Sequence, residues 1–307
     1  MSKPTKEIIG SVHAIFCSDI HLSLTPPVFR SNEPDWFAAM ARPLNEIKAL
    51  KEKHNCNVYC AGDIFHKWNA PPELINFAIK NLPYMITIPG QHDLPYHKLE
   101  EIERSAYHTL VMTEAIYNIS SQNTHLSKHG VYMTGFPYGV KLKRNQSNAK
   151  EDQITVAMKH EYTWKTGFGY PGAPEENRVI NMPSNGYDFV VCGDNHQAFK
   201  SGKTVNCGTL MVRNANEINY IPSVWLLVRN RQRYEMVRHQ LDTSEDVYLD
   251  TSVLDAAGID VTDMKGLIAE LQKLESDSFD FEKAIEVYCK GHKVKKAIIE
   301  ILKANMG

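Results

Sequence analysis

Short apolar runs alternate with amphipathic segments through the first third of the sequence, and this order constrains the fold more than any other feature. Residues 12–18 and 57–61 are apolar runs of strand length, and residues 35–53 between them carry apolar side chains at helical spacing. Buried strands that alternate with helices are typical of layered α/β proteins. The same order continues with a predicted helix at 71–81, an extended run at 84–88 and a predicted helix at 97–108.

Strand-like runs predominate after about residue 110. They lie at 115–119, 130–135, 154–159, 187–192, 203–211, 223–228 and 234–240. A second sheet packed on the first is the simplest arrangement for so many strands. Residues 141–152 and 163–184 are polar or rich in Gly and Pro, and they predict loops.

Composition is that of an ordinary globular protein. The 307 residues are 43% hydrophobic and 23% charged with a net charge of −2, so no overall basic field indicates nucleic acid. We find no secretory signal and no apolar run of about 18 residues that would span a membrane. The six cysteines lack zinc or disulfide spacing. We expect a cytoplasmic protein without membrane association, with an α/β domain at 1–241 and a small helical C-terminal extension at 242–307.

Five short motifs place Asp, His or an amide directly after a predicted strand. They are Ser18-Asp19-Ile20-His21, Gly62-Asp63-Ile64-Phe65-His66, Gly90-Gln91-His92-Asp93, Lys159-His160-Glu161 and Gly193-Asp194-Asn195-His196. Side chains at the carboxyl ends of neighbouring strands converge on one crevice of an α/β sheet. Carboxylate, imidazole and amide groups together suit Mn²⁺, Fe²⁺ or Zn²⁺ better than a metal that seeks thiolates. The motifs therefore predict a metal centre.

The order of these motifs resembles that of the calcineurin-like metallophosphoesterase family, whose pattern is D-x-H, G-D, G-N-H-D/E, a lone His and G-H-x-H. The resemblance covers roughly residues 12 to 230. It implies that residues 1–241 are a catalytic domain built as an α/β sandwich of two sheets flanked by helices. It also implies a phosphoesterase that uses two divalent metal ions and a hydroxide bridging them.

The resemblance also implies a role for each motif residue. Asp19, His21 and His196 would bind the first metal, and Asp63 would bridge the two metals. His160 would bind the second metal.

A further pair of residues would act on the substrate. His92 would stand beside the phosphate as an acid or a stabiliser of the transition state, and Asp93 would hold its imidazole in orientation. We expect His66 to bond to a metal ligand or to the loop of His92 rather than to a metal.

Two residues depart from the family pattern, and both concern the second metal. Gln91 stands where the family has Asn, and Asp194 stands where it has the first His of G-H-x-H. We expect both to act as oxygen ligands, which would favour Mn²⁺ or Mg²⁺ over Zn²⁺ at that position. The alternative is a second site that is weak or empty. Overall we expect two divalent ions, Mn²⁺ first, with Mg²⁺, Fe²⁺ and Zn²⁺ as alternatives.

Within the family, two segments resemble the SbcD-type DNA-repair nucleases. Residues 62–66 followed by Pro71 and Pro72 are similar to the G-D-Φ-F-H/D…P segment (Φ apolar), and residues 206–210 followed by Arg213 are similar to the segment after G-H-x-H. This implies a Mn²⁺-dependent phosphodiesterase that cuts DNA, with a coiled-coil ATPase of the SbcC type as partner.

Other functions and assemblies stay open at this point. A phosphoesterase for a small nucleotide or a phosphoprotein is the main alternative. A non-catalytic adaptor that has kept the fold is a third hypothesis, and a homodimer is also open. Trp68, Trp164, Lys165 and Phe168 lie near the motifs, where they would either stack bases or pack within their own loops.

Overall fold

The computed structural model describes residues 9–120, 123–169, 173–214, 217–231 and 233–249. The strands found there are β1 (Ser11–Cys17), β2 (Asn57–Cys60), β3 (Met85–Thr87), β4 (Ile116–Asn118), β5 (His125–Leu126), β6 (Val131–Phe136), β7 (Ile154–His160), β8 (Phe189–Gly193), β9 (Phe199–Ser201), β10 (Thr204–Asn206), β11 (Ser223–Asn230) and β12 (Arg233–Gln240). The α-helices of this part of the chain are α1 (Trp36–His54), α2 (Pro72–Asn81) and α3 (Ala106–Met112).

These strands form two six-stranded mixed sheets. The first has the order β12-β11-β1-β2-β3-β4, and the second has the order β5-β6-β7-β8-β10-β9. Strands β1 to β4 are parallel, as are β6, β7, β8 and β10. The outer pairs β1/β11, β11/β12, β5/β6 and β9/β10 are antiparallel. The predicted α/β sandwich of two mixed sheets flanked by helices is confirmed.

Strand β1 is buried on both faces, because helices cover one face and the second sheet covers the other. Ile15 and Cys17 belong to the apolar cluster that includes residues of α1. Ala14 and Phe16 belong to the cluster shared with the second sheet. Alternate residues of a strand point to opposite faces, so a continuous apolar run is what a strand between two layers needs.

Helix α1 begins where the sequence provides a cap. The Asp35 carboxylate accepts a hydrogen bond from the backbone N–H of Ala38 at 2.9 Å, which satisfies one of the unpaired amides of the first turn. The helix ends at His54, and the next residue, Asn55, has a left-handed φ of 47°. Its buried face carries Met40 and Leu44 against the first sheet.

The predicted helix at 97–108 is wrong in its bounds. The structure has short 3₁₀ turns at Pro95–His97 and Leu99–Arg104, and α3 begins only at Ala106. Tyr96 and His97 have left-handed φ angles of 53° and 58°, which interrupt a helical path.

No helix in the described part of the chain is long and apolar enough to cross a membrane. The predicted helical extension lies mostly beyond residue 249 and so outside the described residues, and its boundary near Asp242 stays a prediction.

Candidate metal centre

The loops that follow β1 and β2 run side by side at the carboxyl end of the first sheet. The backbone N–H of Asp19 donates to the Gly62 carbonyl at 3.0 Å, and that of His21 donates to the Asp63 carbonyl at 3.0 Å. Asp19, His21 and Asp63 all have left-handed φ angles, of 51°, 49° and 56°. Non-glycine residues with such angles are uncommon and cluster at functional sites. The backbone thus turns sharply at each of these three residues.

Glycines let the neighbouring loops approach closely. A Cβ atom at Gly62 would lie 2.4 Å from Nδ1 of His160, and one at Gly90 would lie 2.1 Å from Oδ1 of Asp63. Gly62 also has a φ of +99°, which side chains rarely adopt. Only glycine therefore fits these two positions.

The predicted ligands of the first metal lie together. One donor atom each of Asp19, His21 and His196 lies within 4.8 Å of the others. Nε2 of His21 is 3.1 Å from Nε2 of His196. The same nitrogen of His21 is 3.7 Å from Oδ2 of Asp63 and 3.8 Å from Oδ1 of Asp19. Four side chains therefore converge on one small volume.

A second cluster shares two of these carboxylates. Donor atoms of Asp19, Asp63 and His160 lie within 4.8 Å of one another, and Nε2 of His160 is 3.4 Å from Oδ2 of Asp63. Both of these atoms are buried and make no hydrogen bond in the described structure. Buried polar atoms without partners are costly. A divalent cation between them would satisfy both, so the residues present fit a bound metal.

Gln91 and Asp194, the two departures from the family pattern, contact each other. Nε2 of Gln91 donates to Oδ1 of Asp194 at 2.8 Å, and the amide oxygen of Gln91 is buried without a hydrogen bond. The backbone N–H of Asp194 is 3.2 Å from both carboxylate oxygens of Asp19. The carboxylate of Asp194 belongs to none of the candidate metal clusters of the described residues. Gln91 thus offers a free oxygen, while the ligand role of Asp194 stays a prediction.

Two of the expected ligand histidines have a fixed tautomer. Nδ1 of His160 bonds to the carbonyl oxygen of Ala61, and Nδ1 of His196 bonds to a carboxylate oxygen of Glu217 at 3.0 Å. Both partners can only accept, because the carbonyl has no proton and the pKa of Glu217 is lowered. Burial alone would raise that pKa, but the hydrogen bond from His196 lowers it. In the neutral ring each Nδ1 thus carries the hydrogen, so Nε2 is the nitrogen through which each histidine can bind a metal.

His92 is oriented by a backbone carbonyl rather than by Asp93. Its Nδ1 donates to the carbonyl oxygen of His66 at 2.9 Å, and the two imidazole rings lie 5.4 Å apart. The Asp93 carboxylate instead accepts backbone N–H groups of residues 64, 65 and 90 at 3.0–3.3 Å. It is fully buried and braces the loop that carries Asp63. The backbone carbonyl of His66 thus contacts the His92 loop, and a bond from the His66 imidazole to a metal ligand or to that loop stays a prediction.

Burial and charge act in opposite directions on the two shared carboxylates. Burial raises the pKa of Asp19 to about 6. Burial would also raise the pKa of Asp63, but His160 and His92 lie close enough to lower it. Asp63 in turn raises the pKa of His160 against the effect of burial. A concentration of negative charge therefore lies between the imidazoles, as a cation site requires.

The sequence motifs do not include Glu217, yet it holds a predicted metal ligand. Beyond its bond to His196, its carboxylate accepts the backbone N–H groups of Arg213 and Asn214 at 2.9 and 3.2 Å. The Arg213 guanidinium donates to the carbonyl oxygen of His21 at 2.8 Å. Arg213 and Glu217 therefore support both histidines of the first metal cluster. An acidic residue 21 positions after His196 carries no recognisable spacing signal.

Trp164 packs against other residues of its own loop. Nε1 of Trp164 donates to the Pro174 carbonyl at 2.8 Å, and the Arg178 guanidinium lies 5.2 Å from the Trp164 ring centroid. Asn195, in the last motif, donates to the carbonyl oxygens of Thr163 and residue 168 at 2.9 Å each. Of the two interpretations of this tryptophan, the contacts match packing within the loop.

Comparison with known proteins identifies the family. The model of the calcineurin-like phosphoesterase family matches residues 12–198, which contain all five motifs. The chain belongs to the calcineurin-like phosphoesterase family. As a calcineurin-like phosphoesterase it is a hydrolase, and such enzymes typically bind two divalent metals, in keeping with the two carboxylate clusters above.

Several solved structures are similar to this calcineurin-like phosphoesterase at low identity. Calcineurin-like phosphoesterase YfkN from Bacillus subtilis is 13% identical, with a TM-score of 0.40, and the match covers 81% of this chain and 97% of that one. The protein TT1561 of Thermus thermophilus is 12% identical, with a TM-score of 0.43, over 74% of this chain and 99% of that one. No curated protein matches the sequence significantly. Family membership therefore rests on the family model.

Proposed function

We propose that this calcineurin-like phosphoesterase is a metal-dependent phosphodiesterase that cleaves DNA, with Mn²⁺ as its preferred ion. The observation that supports DNA is the surface beside His92. Tyr96 is 64% exposed, and its ring centroid lies 6.1 Å from that of Trp68. The ring of His97 lies 6.4 Å from that of His92. Aromatic rings next to a hydrolytic site suit the stacking of bases.

The basic side chains of the same segments add to this argument. Lys67 and Lys98 are exposed and flank the aromatic residues in sequence. A phosphodiester backbone that lies along this surface would meet positive charge without an overall basic protein. A small nucleotide would not need such an extended surface.

Some residues of the chain would bind the metals, and one residue would transfer a proton. The first metal would be held by Asp19, His21 and His196, with Asp63 shared; His160 and the oxygens of Gln91 and Asp194 would hold the second. Bound divalent ions supply a nucleophile at neutral pH and neutralise phosphoryl oxygens.

His92 serves the leaving group. Because its Nδ1–H is committed to the His66 carbonyl, only Nε2 is free to exchange a proton. The imidazolium form would donate that proton to the departing sugar oxygen, which is a poor leaving group as an alkoxide. His92 is half-buried, so a substrate oxygen can reach it from solvent.

The assay compares linear single- and double-stranded DNA with a generic phosphate bis-ester, each with Mn²⁺. We expect wild type to hydrolyse the bis-ester and at least one DNA form. His92→Ala should lower both rates by about 10²–10⁴-fold, the usual size of general-acid catalysis. Tyr96→Ala should lower DNA cleavage by about tenfold, the size of one stacking contact, and leave bis-ester hydrolysis unchanged.

Tyr84→Ala is the matched control, because Tyr84 is also an exposed tyrosine but precedes β3 rather than following it. It should cut DNA as wild type does. Bis-ester hydrolysis without cleavage of either DNA form would reject DNA as the substrate and favour a small nucleotide or phosphoprotein. An unchanged rate in His92→Ala would reject the assigned proton donor.

The partners implied by the resemblance remain proposals. We infer a coiled-coil ATPase of the SbcC type as the partner and the cytoplasm as the location. Co-purification of the full-length protein with such an ATPase tests the first of these.

A further inference from the structure

Three imidazoles converge beside the metal centre, and although His21 and His92 each have a role in the proposed function, that function does not use the three together as a ligand set. Donor nitrogens of His21, His66 and His92 lie within 4.8 Å of one another. The ring centroids are 4.9 Å apart for His21 and His92, 5.6 Å for His21 and His66, and 5.4 Å for His66 and His92. We propose that these three histidines form a zinc site whose occupation inhibits hydrolysis.

The ligand atoms distinguish this cluster from the two clusters that contain Asp19. The other clusters each contain a carboxylate, which suits harder ions such as Mn²⁺. The three-histidine cluster offers only imidazole nitrogens, which suit Zn²⁺ better than Mn²⁺ or Mg²⁺. Three histidines with a fourth position left to water or another group are a coordination that zinc adopts in proteins.

Unused nitrogen atoms also point to a ligand. Nδ1 of His66 and Nδ1 of His21 are buried and have no hydrogen-bond partner in the described structure. Since Nδ1 of His92 is bonded to the His66 carbonyl, Nε2 is the nitrogen that His92 can offer.

Only small side-chain movements are needed to bring the three ligand nitrogens to the separation found around a zinc ion. Ligand nitrogens around a tetrahedral zinc ion lie about 3.3 Å apart, given Zn–N bonds of about 2.0–2.1 Å. The side chains of His66 and His92 are half-buried, so modest rotation of each can close the cluster.

Zinc at this position would disable two parts of the enzyme at once. His92 would lose the lone pair through which it exchanges the proton. Because a neutral imidazole has one lone pair, His21 could not bind this zinc through Nδ1 and the first metal through Nε2 at once, so the cluster with Asp19 and His196 would lose a ligand. The inference goes beyond the proposed function and does not depend on DNA as the substrate.

The first experiment measures zinc inhibition of bis-ester hydrolysis at saturating Mn²⁺. The variants are His66→Gln, His66→Cys and, as a matched control, His108→Gln, a partly buried histidine on α3. In His66→Gln the half-inhibiting zinc concentration should rise by at least about tenfold, because one ligand is lost. His66→Cys should stay zinc-sensitive, because thiolate also binds zinc, and His108→Gln should behave as wild type.

The second experiment needs no activity. Zinc affinity of the Mn²⁺-loaded protein is measured by competition with a chromophoric chelator, and circular dichroism checks the fold of each variant. Wild type, His66→Cys and His108→Gln should bind zinc more tightly than His66→Gln. Equal zinc affinity and equal inhibition in wild type and His66→Gln would overturn the proposal, since zinc would then act only by replacing Mn²⁺. Both measurements stay informative if the protein does not cut DNA, because neither of them uses DNA.

Discussion

At the scale of single residues, the proton positions of the histidines decide what the centre can bind. His196 can present Nε2 to a metal because Glu217 accepts its Nδ1–H at 3.0 Å. Glu217 is itself held by backbone N–H groups of Arg213 and Asn214. Carboxylates placed in this way behind a ligand histidine fix its orientation and raise its basicity.

Glu217→Gln should weaken binding at the first metal position by about 10–100-fold, the usual effect of removing such a partner. The substitution keeps the shape of the side chain but removes its charge. It also places a side-chain NH₂ group, which is itself a donor, opposite the backbone N–H groups of Arg213 and Asn214 or opposite the Nδ1–H of His196. Equilibrium titration of the metal-free protein with Mn²⁺ measures the effect.

Glu175→Gln is the control, since its side chain is 66% exposed and lies in a surface turn. It should bind Mn²⁺ as wild type does. If Glu217→Gln also kept wild-type affinity, the carboxylate would serve only to hold the backbone of Arg213 and Asn214.

Sequence patterns grouped Asp19, His21, Asp63, His160 and His196, which the structure brings together, because each lies at or soon after the end of a strand. They failed where a contact depends on a loop path. Glu217 comes from a segment with no spacing rule, and Asp93 turns inward to three backbone amides instead of towards His92. Neither direction can be inferred from residue type, because it depends on the packing of the neighbouring loops.

At the scale of elements, the loop that follows β2 has no room for a side chain at Gly62. A Cβ at Gly62 would meet His160 at 2.4 Å and the backbone nitrogen of Gly90 at 2.8 Å. Gly202 provides a comparison, because its φ of +56° is also left-handed but no heavy atom lies within 4 Å.

We expect Gly62→Ala to lose metal binding and to unfold at lower denaturant concentration than Gly202→Ala. Both variants carry the cost of a left-handed alanine, about 1–2 kcal/mol, but only Gly62→Ala must also displace His160. Urea unfolding and metal titration of both variants measure this. If Gly62→Ala and Gly202→Ala lost the same stability and both still bound metal, the neighbours of Gly62 would have moved to make room for the methyl group.

Element prediction succeeded for strands that lie within an apolar run, including the three-residue strands β3 and β4. The predicted strand at 203–211 is only Thr204–Asn206, since the chain turns at Gly208, which has a φ of +75°. The strands β5 and β9 were missed because they are two or three residues long, include polar residues and lie in no apolar run.

At the scale of the whole molecule, a buried group of charges ties residues 246–249 to the start of the first domain. The Arg30 side chain is fully buried and bonds to Glu33 and to Asp246. Arg42 reaches the same two carboxylates at 2.8 and 2.9 Å. Leu249 closes the contact by donating its backbone N–H to the carbonyl of Phe29 at 2.9 Å.

Glu33→Gln should lower the free energy of unfolding at pH 7 by about 3 kcal/mol, because it leaves Arg30 and Arg42 with a single carboxylate, that of Asp246, between them. Burial would raise the pKa of Glu33, but the Val247 N–H and Arg30 together lower it below 4.5. A lowered folded pKa means that this stability is present above pH 4.5 and is lost as pH falls through the folded value.

Urea unfolding of wild type and Glu33→Gln between pH 3 and pH 7 should therefore give curves that converge on the acid side of about pH 4.5. Glu245→Gln, at an exposed position of the same segment, should follow wild type throughout. A difference between wild type and Glu33→Gln that stayed constant across this range would contradict the assigned charge pairing.

The contact between Asp19 and Asp194 spans 175 residues of sequence and joins the two sheets, since Asp19 follows β1 and Asp194 follows β8. A bound ion is therefore a ligand of the docked pair of sheets and not of either sheet alone. By linkage, each tenfold excess of metal over its dissociation constant adds about 1.4 kcal/mol to docking. Conversely, a substitution that loosens the packing between the sheets weakens the measured metal affinity once it populates the undocked form, because only the docked fraction binds the ion.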